Sequence, residues 1–302
     1  MNESLKSANG LVELVHGDSL VDIKKQNFCT KDLVVIDPPF NWEPLQIIPW
    51  IDEAVRICKT EGNILLFNNS DAMYDQVAEI KRKSRSNIEK WNLYKGLEKR
   101  ESIYLKYNYA KPKLNRLPCQ TMTISIFSKS INRKLYANIP RLLTNIWDPE
   151  GLGYLTDNWS EREHKPGHHG KFDIINTGDN QNFKHSTATA EWVIENLLYC
   201  FARPEDIVYD CFGGAGTVPY LCNEYGINCR SIEIDEFNYT IMLDRILQSN
   251  KNRNFASYAA QLVSKVNELQ SRTTNRLGSS VSGSIENRGK ELERTAPIIF
   301  VD

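Results

Sequence analysis

Two short segments, far apart in the chain, carry residue types suited to group-transfer chemistry. The first is Asp37-Pro38-Pro39-Phe40, after the apolar run Leu33 to Ile36. Its prolines remove backbone donors and stiffen the loop, so the Asp37 carboxylate and nearby carbonyls form a set of acceptors. Phe40 adds a face on which a planar ring can stack. Such a set suits an exocyclic aromatic amine. Acceptors on its two N–H groups favour a more pyramidal nitrogen and return the lone pair to it. Alone, the tetrapeptide reads equally as a strand-ending turn with a capping Asp. The second segment is Tyr209-Asp210-Cys211-Phe212-Gly213-Gly214-Ala215-Gly216-Thr217. Its glycines let backbone approach a ligand where a helix begins and amide groups point outward. Glu233 follows Gly213 by about twenty residues, a spacing at which an acidic side chain can grip a ribose diol. This is not the usual pyrophosphate fingerprint, and alone it is also an ordinary tight strand–helix connection.

The surrounding periodicity supplies elements to hold these segments. Leu11 to Val15, Leu33 to Ile36, Asn63 to Phe67 and Thr121 to Phe127 have the pattern of strands. Ser19 to Lys25, Ile47 to Cys58 and Ala72 to Lys83 have that of helices. From Glu191 the chain reads as helix (to Phe201), strand (Ile207 to Tyr209), helix (Thr217 to Tyr225), strand (Cys229 to Ile234) and helix (Glu236 to Gln248). The βαβα run from Asp206 to Gln248 predicts a parallel sheet. Between Lys129 and Lys184 periodicity is poor, and Gly, Pro, Asn, His and Trp accumulate. A long irregular segment inside a domain is usually a functional lobe. After about Asn275 the composition is that of a flexible tail, ending near Ile298-Ile299-Phe300.

At 302 residues the chain can bury a substantial core. It has no apolar run near the ~18 residues of a membrane span and no signal-peptide layout at its start. Its seven cysteines are odd in number, scattered and without a Cys-x-x-Cys pair, which fits reduced thiols in a cytoplasmic protein. His164, His168 and His169 lack the Cys or carboxylate partners of a convincing metal set, so no metal is expected. Net charge is −1, but its distribution is uneven: Lys81 to Arg141 holds sixteen Lys/Arg against three Asp/Glu. Such a run is often only a solvated surface. Interleaved with Trp91, Tyr94, Tyr104, Tyr107 and Tyr109, it favours a phosphate-facing surface.

Taken together, the two segments resemble the S-adenosylmethionine-dependent amino-methyltransferases that carry an Asp-Pro-Pro-Tyr-type motif. With the amine clamp first, an irregular lobe next and the glycine turn last, the order is similar to the beta group of DNA amino-methyltransferases. The resemblance extends from about Leu11 to Gln248. Val15-His16-Gly17-Asp18-Ser19 resembles the family's opening segment near the cofactor adenine. Gly62-Asn63-Ile64-Leu65-Leu66-Phe67 resembles its next core strand, and Glu233-Ile234-Asp235 its ribose-binding segment. His185-Ser186-Thr187 stands where the family often has His-Pro-Thr-x-Lys-Pro. Three departures accompany it. Phe40 replaces the commoner Tyr, Cys211 stands where Pro is common, and Thr189-Ala190 replace Lys-Pro.

The resemblance implies an α/β, Rossmann-like methyltransferase fold, circularly permuted, with an inserted irregular target-recognition lobe. Its divisions are 1–128 (catalytic half), 129–184 (recognition lobe), 185–250 (cofactor half) and 251–302 (C-terminal helix and flexible tail). The implied activity is site-specific DNA adenine-N6 methylation, of the restriction–modification type, on a base flipped from duplex DNA. Asp37, Pro38, Pro39 and Phe40 are then the catalytic group. S-adenosyl-L-methionine is held by Asp18, Asp37, Thr187, Asp210, Phe212, Gly213, Gly214, Gly216, Thr217, Glu233, Ile234 and Asp235. From the basic run, the candidate contacts to double-stranded DNA are Lys81, Arg82, Lys83, Arg85, Lys111, Lys113, Arg116, Arg133, Lys134 and Arg141. A homodimer is compatible with the resemblance, as is a prokaryotic or phage-type cytoplasmic setting. Asp in the clamp is similar to adenine-N6 enzymes, whereas cytosine-N4 enzymes more often carry Ser. Cytosine-N4 methylation, RNA adenosine-N6 methylation and an inactive nucleic-acid-binding partner subunit stay open as alternatives.

Overall fold

The computed structural model describes residues 3–39, 42, 44–68, 88–106, 121–136, 146–147, 174–177, 181–184, 189, 191–249, 253–262 and 264. The expected helix Ala72 to Lys83, most of 129–184 and the tail lie outside them. Among the described residues a nine-stranded sheet organises the molecule. In chain order its strands are β1 (Glu3–Lys6), β2 (Val12–His16), β3 (Lys31–Ile36), β4 (Cys58–Asn68), β5 (Glu98–Lys106), β6 (Thr121–Ser128) and β7 (Ile146–Trp147). A separate hairpin is made by β8 (Ile174–Thr177) and β9 (Gln181–Lys184), and β10 (Ile207–Asp210) and β11 (Asn228–Glu233) return to the main sheet.

The spatial order is β1-β2-β11-β10-β3-β4-β6-β5-β7. The five strands from β2 to β4 are mutually parallel. Antiparallel β1 closes one edge, and antiparallel β6 continues the other side from β4. The last two parallel strands in the chain therefore fit between strands from its beginning. That placement is the circular permutation implied by the resemblance.

The central strands are buried on both faces, as parallel sheets require. Alternation then sorts one strand's residues into two cores. Leu33 and Val35 face a layer formed by α4 (Glu191–Phe201), α5 (Thr217–Tyr225) and α6 (Glu236–Leu247). Val34 and Ile36 face a layer containing α1 (Ser19–Lys24), α2 (Ile48–Ile57) and α3 (Ile88–Tyr94). A further helix, residues 255–262, packs Tyr258 and Leu262 against Tyr199.

From β10 the chain crosses through α5 to β11 on one side. From β3 it crosses through α2 to β4 on the other. The boundary between β10 and β3 is thus a topological switch point, where open α/β sheets form a crevice at their carboxyl ends. Asp210 ends β10, and Asp37 follows β3. The two sequence segments meet there because Val208, Tyr209 and Asp210 pair with Leu33, Val34 and Val35.

Candidate active site

Each clamp and turn residue is placed by the end of a strand. Ile36 is fully buried, whereas Asp37 just beyond it is partly exposed and lines a cavity of about 680 Å³. Pro38 and Pro39 line the same cavity. The Asp37 carboxylate accepts a hydrogen bond at Oδ2 from the Thr189 hydroxyl at 2.8 Å. Phe40 and Thr187, expected in the site, lie outside the described residues.

The glycine turn is shaped by close approach and by backbone sign. At Gly213 a Cβ would meet Met242 Sδ and Ser231 Oγ, each at 2.8 Å. Gly216 has φ +79°, and a Cβ there would meet Met242 Cγ at 2.7 Å. Gly214 has φ +51° but open space around it, so its substitution changes the cavity more than the core. Thr217 then begins α5.

Glu233 ties this turn to the next strand. Its Oε2 accepts from the Gly214 N–H and its Oε1 from the Asp235 N–H, both at 2.7 Å. Its backbone carbonyl accepts from Gly17 at 2.9 Å, which brings the opening segment to the cavity. Asp18 caps α1 by accepting from Leu20, and Asp235 caps α6 by accepting from Asn238. Of the expected cofactor residues, Asp18, Asp37, Asp210, Phe212, Gly213, Gly214, Thr217, Glu233, Ile234 and Asp235 all line the cavity. Gly216 shapes the turn from behind.

Charge in the cavity is one-sided. Asp18, Asp37, Asp210, Glu233 and Asp235 line it, and none of its described lining residues is Lys or Arg. Burial raises the Asp210 pKa to about 7; the Ser231 hydroxyl and Phe212 N–H oppose the rise, and the Asp37 and Glu233 charges add to it. Burial likewise raises Glu233, against backbone N–H groups that favour its ionised form. Such a cavity suits a positively charged ligand.

An aromatic wall completes the site. Trp42, Trp50 and Phe212 form a cluster with ring centroids 5.1–5.7 Å apart, and Trp50 Nε1 donates to Ser19 Oγ at 2.8 Å. Sequence reading named Phe212 but missed both tryptophans. The available signal was Trp42, two residues past Phe40, and Trp50, on the helix that follows.

The expected DNA contacts divide. Lys81, Arg82, Lys83, Arg85, Lys111, Lys113, Arg116 and Arg141 lie outside the described residues. The Lys134 ammonium is paired with Asp32 (2.8 Å) and with Asp206, at the amino-terminal edge of the sheet. Arg133 beside it donates to Asn63 Oδ1 at 3.2 Å and lies over the Phe201 ring. Both belong to the packed body, because Lys134 N–H pairs with the Glu61 carbonyl and Tyr136 N–H with that of Cys200. Residues 133–136 therefore pack against the sheet domain.

Solved structures share this architecture. The crystal structure of M1.HpyAVI has a TM-score of 0.51 and 16% identity, covering 78% of this chain and 98% of that one. The cytosine-N4-specific PvuII DNA methyltransferase has a TM-score of 0.58 and 14% identity, covering 88% and 97%. The fold is that of the Rossmann-like DNA methyltransferases. A family model described as DNA methylase, of the N6/N4 type, matches residues 31–244, and the chain belongs to that family. Among curated relatives, "DNA adenine methyltransferase YhdJ" of Escherichia coli (strain K12) is 22% identical over 265 residues, spanning 77% of this chain and 82% of that protein. "Type II methyltransferase M1.MboII" of Moraxella bovis is 24% identical over 224 residues, spanning 65% and 81%.

Membership makes S-adenosyl-L-methionine the methyl donor. The cavity fits it on independent grounds. Its volume lies within the ~300–1,000 Å³ usual for small-molecule sites. Its carboxylates and aromatic wall suit a sulfonium cation, and its Gly214 face is open. Among the described residues no helix is long and apolar enough to cross a membrane.

Proposed function

We propose that the chain methylates N6 of adenine at a specific site in double-stranded DNA. The observation that supports this most is the position of Asp37, at the switch point beside the glycine turn and with one oxygen engaged by Thr189. When bound, S-adenosyl-L-methionine supplies an electrophilic methyl group whose sulfur leaves as a neutral thioether. Asp37 and the Pro38 carbonyl accept the N–H groups of the flipped amine and hold its nitrogen in line with that methyl. With the donor bound, the Asp37 carboxylate would take up the proton that the methylated amine gives up and pass it to water. Glu233 holds the ribose, and Gly213, Gly214 and Gly216 the amino-acid end. Phe40 stacks on the base. The contribution of these residues is positioning and directed acceptors rather than strong base chemistry.

Adenine is favoured over cytosine by Asp rather than Ser in the clamp. The name of the Escherichia coli relative supports the same reading. The PvuII relative acts on cytosine N4, and that activity is the second reading. Recognition of the site is assigned to 129–184, with Lys81, Arg82, Lys83, Arg85, Lys111, Lys113, Arg116 and Arg141 as phosphate contacts. A homodimer and a cytoplasmic, restriction–modification setting complete the proposal; sedimentation equilibrium of the purified protein tests the dimer.

The deciding experiment is long-read sequencing of modified bases in a methylation-free host expressing the protein, beside an Asp37→Ala control. N6-methyladenine at one short motif, absent in the control, is the expected result. N4-methylcytosine would select the second reading. An unmodified genome with folded protein would turn the search to RNA or to a missing partner chain.

A further inference from the structure

One departure from the family pattern sits in contact with the clamp. Thr189 occupies the place where the resemblance expects Lys, and it is the residue that donates to Asp37 Oδ2. We infer that Thr189 is a positioning residue, whose hydroxyl fixes the plane of the Asp37 carboxylate so that its other oxygen meets the target amine. The inference deepens the clamp reading above and rests on it.

A carboxylate on a loop has a broad, roughly two-fold terminal torsion. A donor held on one oxygen removes that freedom, provided the donor is itself held. Thr189 is held through its backbone: its carbonyl accepts from Thr217 Oγ1 at 3.1 Å. Thr217 Oγ1 accepts in turn from Arg245 Nη1 at 3.2 Å. Arg245 is 9% exposed, and its other guanidinium nitrogen is paired with Glu191 at 2.6 Å. The series runs from α6 through the first residue of α5 to the clamp, with each group donating to the next.

Two consequences follow from the chemistry of a hydroxyl. First, the Thr189–Asp37 hydrogen bond links two parts of the site that lie 152 residues apart in the chain. Thr217 directly follows the glycine turn, so the clamp is aligned on the element that carries the methyl donor. Second, a hydroxyl orients Asp37 without adding a cation beside it. A cation there would compete with the amine protons for the same carboxylate and oppose the sulfonium charge. The Thr189 hydroxyl itself adds no positive charge to that carboxylate.

The test uses full-length protein, tritiated S-adenosyl-L-methionine and unmethylated genomic DNA from a methylation-free host. Thr189→Val keeps the shape and removes the donor; Thr189→Ala is a second donor-free variant; Thr189→Ser keeps the donor. A positioning role predicts a kcat fall of roughly 10- to 100-fold for Thr189→Val and Thr189→Ala. The Kd for S-adenosyl-L-methionine and the KM for DNA should stay within about threefold, and Thr189→Ser should recover kcat to within about threefold. Unchanged kcat in a donor-free variant would overturn the inference, as would equal loss in Thr189→Ser or a loss confined to cofactor affinity. Asp37→Ala is assayed in parallel. If it is inert while Thr189→Val is fully active, only the positioning role fails. If Asp37→Ala stays active, the clamp reading fails with it.

Discussion

The two strands at the centre of the sheet carry an aspartate near each end, and the two ends treat them oppositely. At the amino edge, Asp32 in β3 and Asp206 before β10 converge on Lys134, and Lys59 also binds Asp32. Burial pushes Asp32 upward, but Lys134, Lys59 and the Ile207 N–H outweigh it and hold the pKa below the ordinary carboxylate value. At the carboxyl edge, Asp37 and Asp210 face a cavity whose described lining includes no basic side chain, and Asp210 is raised to about 7 by burial. One edge is neutralised by the chain itself. The other is completed by a cationic ligand. The same residue type on the same strands is paired within the chain below and lines an acidic cavity above, and the difference lies in which groups surround the carboxylates.

The largest test of this contrast removes the functional acceptor. Asp37→Ala should reduce methylation by on the order of a thousandfold or more, while S-adenosyl-L-methionine binding measured by calorimetry falls less than it does in Gly214→Asp. Next comes the glycine turn. Gly214→Asp places a side chain in open space beside Glu233, and it should weaken cofactor binding by roughly 10- to 100-fold with the fold retained. If Asp37→Ala and Gly214→Asp lose binding equally, the division between clamp and cofactor cradle is wrong.

The amino edge should respond in stability rather than in chemistry. Lys134→Met leaves the fully buried Asp32 with Lys59 and the Ile207 N–H and should cost about 2–3 kcal/mol. Denaturant unfolding reads that loss, and methylation per folded molecule should be unchanged. A loss of activity without a loss of stability would return Lys134 to the DNA-binding surface.

The smallest expected effect is in pH. The unfolded chain carries an ordinary aspartate at 210, so between the usual carboxylate range and about 7 the folded protein holds a proton that the unfolded chain has released. Raising pH through that window therefore removes stability from the ligand-free protein, and above about 7 the cost is constant. A cationic ligand favours ionised Asp210, so its affinity should rise as pH passes 7. Calorimetry at pH 6 and 8 should show the affinity ratio of S-adenosyl-L-methionine to S-adenosylhomocysteine increasing by several-fold. A flat ratio would mean that Asp210 does not sense the sulfonium.

Much of the site was legible in the sequence because it lies where local and sheet-level rules agree. The helices Glu191–Phe201 and Thr217–Tyr225 fall where periodicity places them. The strand–turn–helix signals around Asp37 and Asp210 needed only the pairing of β3 with β10 to meet. Strand β5 was missed for a physical reason. Its segment Glu98-Lys99-Arg100-Glu101 reads as solvated charge, and beyond it the sheet ends with the two-residue β7. The ion pairs of Lys134 were not legible, because a basic residue in a basic run looks like surface. Its partners, Asp32 and Asp206, are 102 and 72 residues away, a proximity that no local pattern records. The Thr189 contact is of the same kind: the departure from the family was visible, its partner was not.

The interleaved strand order also governs how the protein is made. β2 and β3 emerge early from the ribosome, but the strands that separate them, β11 and β10, follow much later. The first central contact, Asp32 with Ile207, spans 175 residues, roughly 10–35 s of synthesis at ~5–20 residues per second. Throughout that interval two apolar strands wait with open edges, each a template for pairing with another nascent chain. The gap between β2 and β3 is filled only when β10 and β11 have been made, so translation rate and chaperone access should limit the yield of this protein before the strength of its finished core does.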